Sequence, residues 1–372
     1  MKITIERGVL LKVLGHIQSI VERRNTIPIL SNVKFDAPDG QLRLNATDMD
    51  LEIVETVPAE VSVPGSATAH AHTLFDIVRK LPDGAQVELD CTGDDSQLTL
   101  TAGRSKFKLT CLPTDDFPVL SGGELPHSFT MPAVDLKTLI DRTRFAISTE
   151  ETRYYLNGIY LHVAENDGVE VLRAVATDGH RLASVEFPLP GGLAGMPGVI
   201  VPRKTIGELR KLIDEIDEDV SIALSDTKIR FSFEGAVLTS KLIDGTFPDY
   251  NRVIPSNNDK LLEVDAKQFA AAVDRVSAIS TEKSRAIKLA LNKDNLTLSA
   301  NSPDNDTATE ELLVSYDDGD VEIGFNSRYL LDITQQIHGD TARFTLADGS
   351  SPTLVQDAGD ASALYVLMPM RV

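Results

Sequence analysis

The sequence predicts an α+β chain built from three tandem copies of one domain, each copy a pair of βαβββ units. Three observations carry this. Short strings recur at near-constant offsets: Ala-Ile-Ser-Thr-Glu at 146–150 returns at 278–282, Ala-Thr-Asp at 46–48 returns at 176–178, and Leu-Pro-Thr-Asp-Asp-Phe-Pro at 112–118 is echoed by Leu-Ile-Asp-Gly-Thr-Phe-Pro at 242–248. Within each copy, runs of period 2 and period 3.6 follow one another in the same order. Links near 119–127 and 249–262 are rich in Gly, Pro, Ser and Asn, as domain junctions are. A period of about 130 residues is too long for a solenoid repeat, so each copy should hold its own core. The expected domains are 1–123, 127–249 and 251–372.

In chain order, Ile3 and Ile5 alternate with polar residues and predict a strand. Val9, Leu10, Val13, Leu14, Ile17, Ile20 and Val21 then recur at helical spacing, with an end expected near Arg23 and Arg24 before Pro28. Short alternating runs fill 30–63, among them Leu42/Leu44 and Leu51/Ile53. A second helix around Leu74, Ile77, Val78 and Leu81 stops at Pro82-Asp83-Gly84, and strands follow through Val87, Leu98 and Phe107. The same order restarts near 127, with a helix on Leu136, Leu139 and Ile140, strands through Tyr160, Val171 and Val185, and a helix carrying Ile206, Leu209 and Ile213. The third copy places helices around 269–276 and 329–337.

The 42 % hydrophobic share suffices for globular cores, and without tryptophan these must be built mainly from Ile, Leu, Val and Ala. No apolar run approaches the ~20 residues of a membrane helix, and the N-terminus alternates like a strand rather than a leader. Cys91 and Cys111 lack metal spacing and read as small buried hydrophobes in a reducing cytoplasm. The formal charge is −20, yet the six predicted helices (7–24, 73–81, 135–144, 203–213, 265–285 and 327–337) carry +9 over 80 residues, leaving −29 on the other 292. Arg203 and Lys204 sit at a helix N-terminus, where the dipole disfavours cations. Basic helices within an acidic remainder suit a phosphate backbone contacted without base reading.

Asp178 and His180, in Thr-Asp-Gly-His-Arg-Leu, offer the one tempting catalytic pair. No nucleophile motif accompanies them, and Asp-Gly between alternating strands is first of all a turn signal. The acidic runs at 214–219 and 304–306 lack the calcium-loop pattern and read as solvated. No phosphate-loop or dinucleotide fingerprint is present, so neither a catalytic residue, a metal nor a cofactor is expected.

Over its whole length the chain resembles the bacterial β sliding clamps, the processivity subunits of DNA polymerase III. The strings that carry the resemblance are Arg-Tyr-Tyr-Leu-Asn-Gly at 153–158, Ala-Thr-Asp-Gly-His-Arg-Leu at 176–182, Val-Pro-Arg-Lys at 201–204, Phe-Pro-Asp-Tyr at 247–250 and Tyr-Val-Leu-Met-Pro-Met-Arg at 365–371. The resemblance implies a ring of two chains joined head to tail around duplex DNA, helices lining the hole and sheets outside. It implies sequence-independent DNA contacts at Arg24, Tyr154, Arg203, Lys204 and Arg252. It implies a cleft between the second and third domains for partner peptides from the replicative polymerase α subunit, the clamp loader, other polymerases and repair proteins.

That cleft maps to Leu156, Thr177, Gly179, His180, Arg181, Leu182 and Pro248, with Asn326, Tyr329, Pro352, Val366, Met368, Pro369, Met370 and Arg371 from the third copy. The dimer seam maps to Arg104, Lys106, Phe107 and Leu109 against Ala278, Ile279, Asp304, Asp306 and Glu310. His72, Thr246 and Glu150 depart from the arginines and glutamine that relatives can carry, each weakening the positive charge toward the hole. A clamp of this kind needs no catalysis, because topology retains the DNA while weak contacts let it slide. A protein-binding scaffold and a hydrolase using Asp178 and His180 are the readings from other classes.

Overall fold

The computed structural model describes residues 1–371 except 94–95, 121, 194 and 281–284, together with every described side chain but that of Glu215. The end of the 278–282 string, the matching part of the helix expected over 265–285, and Val372 lie outside the described residues. Six βαβββ units follow one another. The first is β1 (Lys2–Glu6), α1 (Arg7–Ile20), β2 (Asn32–Ala37), β3 (Gln41–Thr47) and β4 (Leu51–Pro58), trailed by a short extra strand, β5 (Glu60–Val63). The second is β6 (Gly65–His70), α2 (Ala71–Lys80), β7 (Gln86–Asp90), β8 (Gln97–Ala102) and β9 (Ser105–Thr110). Next come β10 (His127–Pro132), α3 (Ala133–Thr143), β11 (Gly158–Asn166), β12 (Val169–Thr177) and β13 (Arg181–Pro188). The fourth holds β14 (Val199–Pro202), α4 (Arg203–Leu212), β15 (Asp219–Leu224), β16 (Lys228–Phe233) and β17 (Ala236–Lys241). The fifth holds β18 (Lys260–Asp265), α5 (Ala266–Ser277), β19 (Ala286–Asn292), β20 (Asn295–Asn301) and β21 (Thr307–Leu313). The sixth is β22 (Val321–Asn326), α6 (Ser327–Thr334), β23 (Thr341–Leu346), β24 (Thr353–Asp357) and β25 (Asp360–Leu367).

Local chemistry sets the helix ends. Glu6 caps α1 by accepting from the Val9 amide at 3.0 Å. The helix buries Leu10, Val13, Leu14, Ile17 and Ile20, then stops at Val21, whose backbone is extended (ψ 119). It therefore ends short of Arg23 and Arg24, where the apolar spacing had put it. α2 starts two residues earlier than expected because the His70 ring serves as its cap, accepting from the Thr73 amide at 3.4 Å. Asp265 caps α5 at 2.8 Å, and that helix closes at Ser277.

The described residues form two compact units, residues 1–137, 190–197 and 204–242 in one and 138–189, 198–203 and 243–372 in the other. The first contains a five-stranded sheet in the order β5-β1-β7-β8-β9 and an eight-stranded sheet, β10-β15-β16-β17-β4-β3-β2-β6. The second contains an eight-stranded sheet, β14-β11-β12-β13-β25-β24-β23-β18, and a four-stranded sheet, β21-β20-β19-β22. Both large sheets run across the repeat borders. β4 of the first copy pairs antiparallel with β17 of the second, Ile53 opposite Leu238, and β13 of the second pairs with β25 of the third, Ala183 opposite Tyr365. Pairing of this kind saturates backbone groups that would otherwise be exposed edges, so compactness follows sheets rather than repeats.

Alternation along the strands buries one face, as in β8, where Leu98, Leu100 and Ala102 point inward. Cys91 and Cys111 are free and buried, and burial together with the neighbouring Cys91 pushes the Cys111 thiol up to about 12. No helix among the described residues is long and apolar enough to cross a membrane.

Candidate functional site

The β13–β25 ladder sets Leu182 opposite Val366. Around that pair Leu156, Val175, Ile200, Phe247 and Tyr250 close a cluster, with Ile243, Ile254 and Leu354 packed against it. The resemblance places Leu156, Leu182 and Val366 among the residues of the partner cleft. They are only 4 %, 2 % and 1 % exposed, because the 243–254 segment folds its apolar side chains onto the sheet. The accessible apolar surface is the rim, where Met368 and Met370 are 39 % and 36 % exposed and Pro248 faces solvent.

The 177–182 turn is built for shape rather than for proton transfer. One Asp178 oxygen accepts from the His180 and Arg181 amides at 2.9 and 3.0 Å, Thr177 Oγ1 accepts from the Gly179 amide at 3.1 Å, and Gly179 sits at φ 86. The other Asp178 oxygen meets the Arg181 guanidinium at 3.2 Å, so the carboxylate is paired with arginine and not with the His180 ring. This removes the basis for an Asp–His catalytic pair. Arg181 is buried and also donates to Asp332 and to the Phe145 carbonyl, the latter at 2.5 Å. Its guanidinium lies 4.2 Å from the centroid of the Tyr329 ring, which also stacks on His180 with centroids 6.4 Å apart.

The C-terminal segment is stitched across this turn. The Met368 amide donates to the His180 carbonyl at 2.9 Å and the Met370 amide to Gly324 at 2.8 Å. Pro369, Met370 and Arg371 border a cavity of about 590 Å³ together with Lys288, Glu322 and Gly324. Asn326 caps α6 by accepting from the Arg328 amide at 3.0 Å, and the Pro352 carbonyl accepts from Asn258 at 3.0 Å. All the expected cleft residues thus lie in one unit, divided between a buried floor and a polar, methionine-bearing rim.

Sequence reasoning missed the support behind that floor. Arg173 donates to the Tyr250 hydroxyl at 3.0 Å, and the same oxygen lies 2.9 Å from His162 Nε2. An arginine can only donate, so the Tyr250 O–H is free to donate to Nε2, which leaves the ring proton on Nδ1, facing the Val163 carbonyl at 3.0 Å. Burial, assisted by the Arg173 charge, lowers the His162 pKa and keeps the ring neutral. Glu186 holds Arg173 at 2.7 Å. Residues 77 and 88 apart in sequence leave no local signal of such a network.

Among the expected DNA contacts, Arg24, Tyr154, Arg203 and Arg252 are exposed, and Arg252 is paired with Asp249 at 2.9 Å. Lys204 differs. Its ammonium donates to Glu22 at 2.5 Å, Asp48 at 2.6 Å and the Ile20 carbonyl at 3.1 Å, which uses all three N–H groups. Burial disfavours its charge, but the Asp48 and Glu22 hydrogen bonds outweigh that and raise its pKa. In this structure it tethers the end of α1 to Asp48. His72 donates to the Val21 carbonyl at 3.0 Å, and Glu150 is tied to Arg153 at 2.8 Å, so neither is a spare charge.

The expected seam residues sit on two sheet edges. Lys106, Phe107 and Leu109 belong to β9, preceded by Arg104, and β9 ends the five-stranded sheet. Glu310 belongs to β21, which ends the four-stranded sheet, and Asp304 and Asp306 lead into it. Glu310 is engaged by Arg275 of α5 at 2.5 Å, which lowers its pKa, while Asp304 and Asp306 are exposed. Ala278 and Ile279 follow α5 directly.

Comparison with known proteins agrees along the whole chain. Family models of the DNA polymerase III beta subunit match its N-terminal domain at residues 1–121, its central domain at 130–249 and its C-terminal domain at 251–371. The chain is 56 % identical to the beta sliding clamp of Caulobacter vibrioides over 372 residues and 39 % identical to that of Escherichia coli K12 over 373, covering all of each. Among solved structures, a sliding clamp of Caulobacter crescentus superposes with a TM-score of 0.98 at 56 % identity, covering all of this chain and 99 % of that one. A Bartonella birtlesii clamp bound to griselimycin gives 0.97 at 52 %, covering both chains fully.

Proposed function

The chain belongs to the DNA polymerase III beta subunit family of sliding clamps, and from that membership we propose how its residues provide polymerase processivity. Two chains close head to tail into a ring around duplex DNA, helices inward and sheets outward, in the bacterial cytoplasm. Each chain supplies three clamp domains, 1–123, 127–249 and 251–372. The observation that carries this is the charge on two open sheet edges of one chain. β9 with Arg104 bears Arg104, Lys106 and Lys108, whereas the β21 edge bears Asp304, Asp306, Glu310 and Glu311. Unlike edges cannot pair with their own copies, so the contact is heterologous and two of them complete a closed ring.

Within the ring, Arg24, Tyr154, Arg203 and Arg252 touch phosphates weakly and without reading sequence, and Lys204 holds the turn that carries Arg24. Partner proteins dock a short segment containing Gln, Leu and Phe on the rim formed by Pro248, Met368, Pro369 and Met370. Methionines there adapt to different partners, among them the polymerase α subunit, the clamp loader and repair proteins. No chemical step is assigned to the chain. Protein loaded on nicked circular DNA should persist in salt that strips ordinary phosphate binding, a loss on the order of 10³–10⁵ in affinity for six to ten contacts between 50 and 200 mM. Cutting the circle should release it. Equal retention on circular and linear DNA would overturn the ring.

A further inference from the structure

A second cavity, of about 450 Å³, opens beside the peptide rim in the same unit. Its wall includes Phe145, Ile147, His180 and Tyr329, together with Arg203 and Arg328. The other charges on that wall are already matched. Arg153 holds Glu150 through two hydrogen bonds of 2.8 and 2.9 Å, Asp178 is paired with Arg181, and Arg144 reaches Asp141 at 3.0 Å. Arg203 and Arg328 have no carboxylate partner among the described residues, and both are exposed.

Their position sharpens the point. Arg203 opens α4 and Arg328 is the second residue of α6, so both stand where the helix dipole disfavours a cation. The carboxylate that Arg328 would ordinarily meet one turn along its own helix is Asp332. Arg181 has taken it. The phosphate contact proposed above accounts for Arg203, but Arg328, set against a helix dipole and left unpaired beside a cavity, is a local cost that folding does not explain, and such costs mark binding sites.

We propose that this cavity is a subsite for an acidic side chain of the docked peptide, and that Arg328 makes the clamp discriminate acidic from neutral partners. The assignment rests on the peptide-rim reading above, with which it shares His180 and Tyr329. Tyr329 is the partition, with the Arg181 guanidinium over its ring. The apolar wall of Phe145, Ile147 and Tyr329 suits the methylene and backbone of a short acidic residue, whereas a DNA backbone needs an open, polar track.

The test uses the full-length dimer and synthetic peptides with Gln, Leu and Phe anchors. Each carries Asp at one flanking position in turn, or Asn there instead. For an exposed ion pair, the wild type should prefer the best Asp peptide by about 2–5-fold at low salt and lose the preference at high salt. Arg328→Ala should abolish that preference and Arg328→Glu should invert it, while the Asn peptide binds all three proteins equally. Peptides with Lys at the same position should regain affinity for Arg328→Glu. An Asp preference that survives Arg328→Ala overturns the subsite. So does weakened duplex-DNA binding by Arg328→Ala without any change in peptide discrimination, which would give the cavity to phosphates. Failure of both Asp and Asn peptides to bind the wild type would instead strike the peptide rim itself.

Discussion

Removing residues 368–372 separates docking from folding. The deletion takes away two backbone hydrogen bonds, Met368 to His180 and Met370 to Gly324, and two methionine side chains that are already more than a third exposed. At ~0.5–1.5 kcal/mol net per hydrogen bond and about 1 kcal/mol for each half-buried side chain, the cost to folding is roughly 3–5 kcal/mol. The Leu156, Leu182, Val366, Phe247 and Tyr250 cluster keeps all its members, and neither β9 nor β21 is touched. The truncated protein should therefore stay folded and dimeric, with a lower melting temperature. Peptide binding should fall steeply, because anchors at an interface carry about 2 kcal/mol or more each, so losing both, about 4 kcal/mol, weakens affinity on the order of 700-fold. Fluorescence anisotropy with a labelled polymerase-derived peptide, and sedimentation velocity on the same sample, read the two effects apart. Undiminished affinity, or collapse to monomer, would show that the segment is core rather than rim.

Three further outcomes are expected. Reversing Arg104 and Lys106 to Glu sets like charges against Asp304 and Asp306 and should give monomers in sedimentation equilibrium; an unchanged dimer would refute the seam. Lys204→Met should lower stability by about 1–2 kcal/mol, discounted for its partial exposure, yet leave the salt dependence of duplex binding alone, whereas Arg203→Ala should reduce the log–log slope by ~0.9; an equal drop in both would restore Lys204 as a phosphate contact. His162 has a folded pKa below the ordinary value of 6.5, so the unfolded chain binds more protons there. Its contribution to stability is complete above 6.5 and is lost as pH falls toward the folded value. His162→Gln keeps an acceptor for the Tyr250 hydroxyl and should flatten that part of the denaturation-versus-pH curve just below the ordinary histidine value; an unaltered curve would place the titration elsewhere.

The six helices were legible because their apolar positions repeat every 3.6 residues, and most strands because Leu, Val and Ile alternate. What failed was whatever depends on a single cap or a distant partner. The end of α1 hinges on the extended backbone of Val21, and the start of α2 on a histidine ring acting as cap, neither of which apolar spacing reports. The unit order implied a strand before α2, but β6 could not be located by residue because Ala67 and Ala69 give too weak an alternation. The residues that the resemblance puts in the cleft all fall in one unit, but that Leu156, Leu182 and Val366 lie beneath others was not legible, since burial depends on how the 243–254 segment returns to the sheet. Lys204 looked like a free cation for the same reason. Its acids, Glu22 and Asp48, are 182 and 156 residues away.

The sheet that passes from β4 to β17 makes the covalent link between the first and second repeats mechanically redundant. Five residue pairs, from Ala236 opposite Glu55 to Ser240 opposite Leu51, join the two copies side by side. Lys228 also grips the connecting segment itself through the Leu120 and Gly122 carbonyls at 3.0 and 2.7 Å. A protease that cuts between Gly122 and Gly123 would sever the polypeptide without parting the pieces. Two separately expressed fragments meeting at that point should zip together along the same ladder, as the halves of a split reporter do. Continuity at this border belongs to the sheet, and the peptide bond there merely guarantees that both halves arrive together.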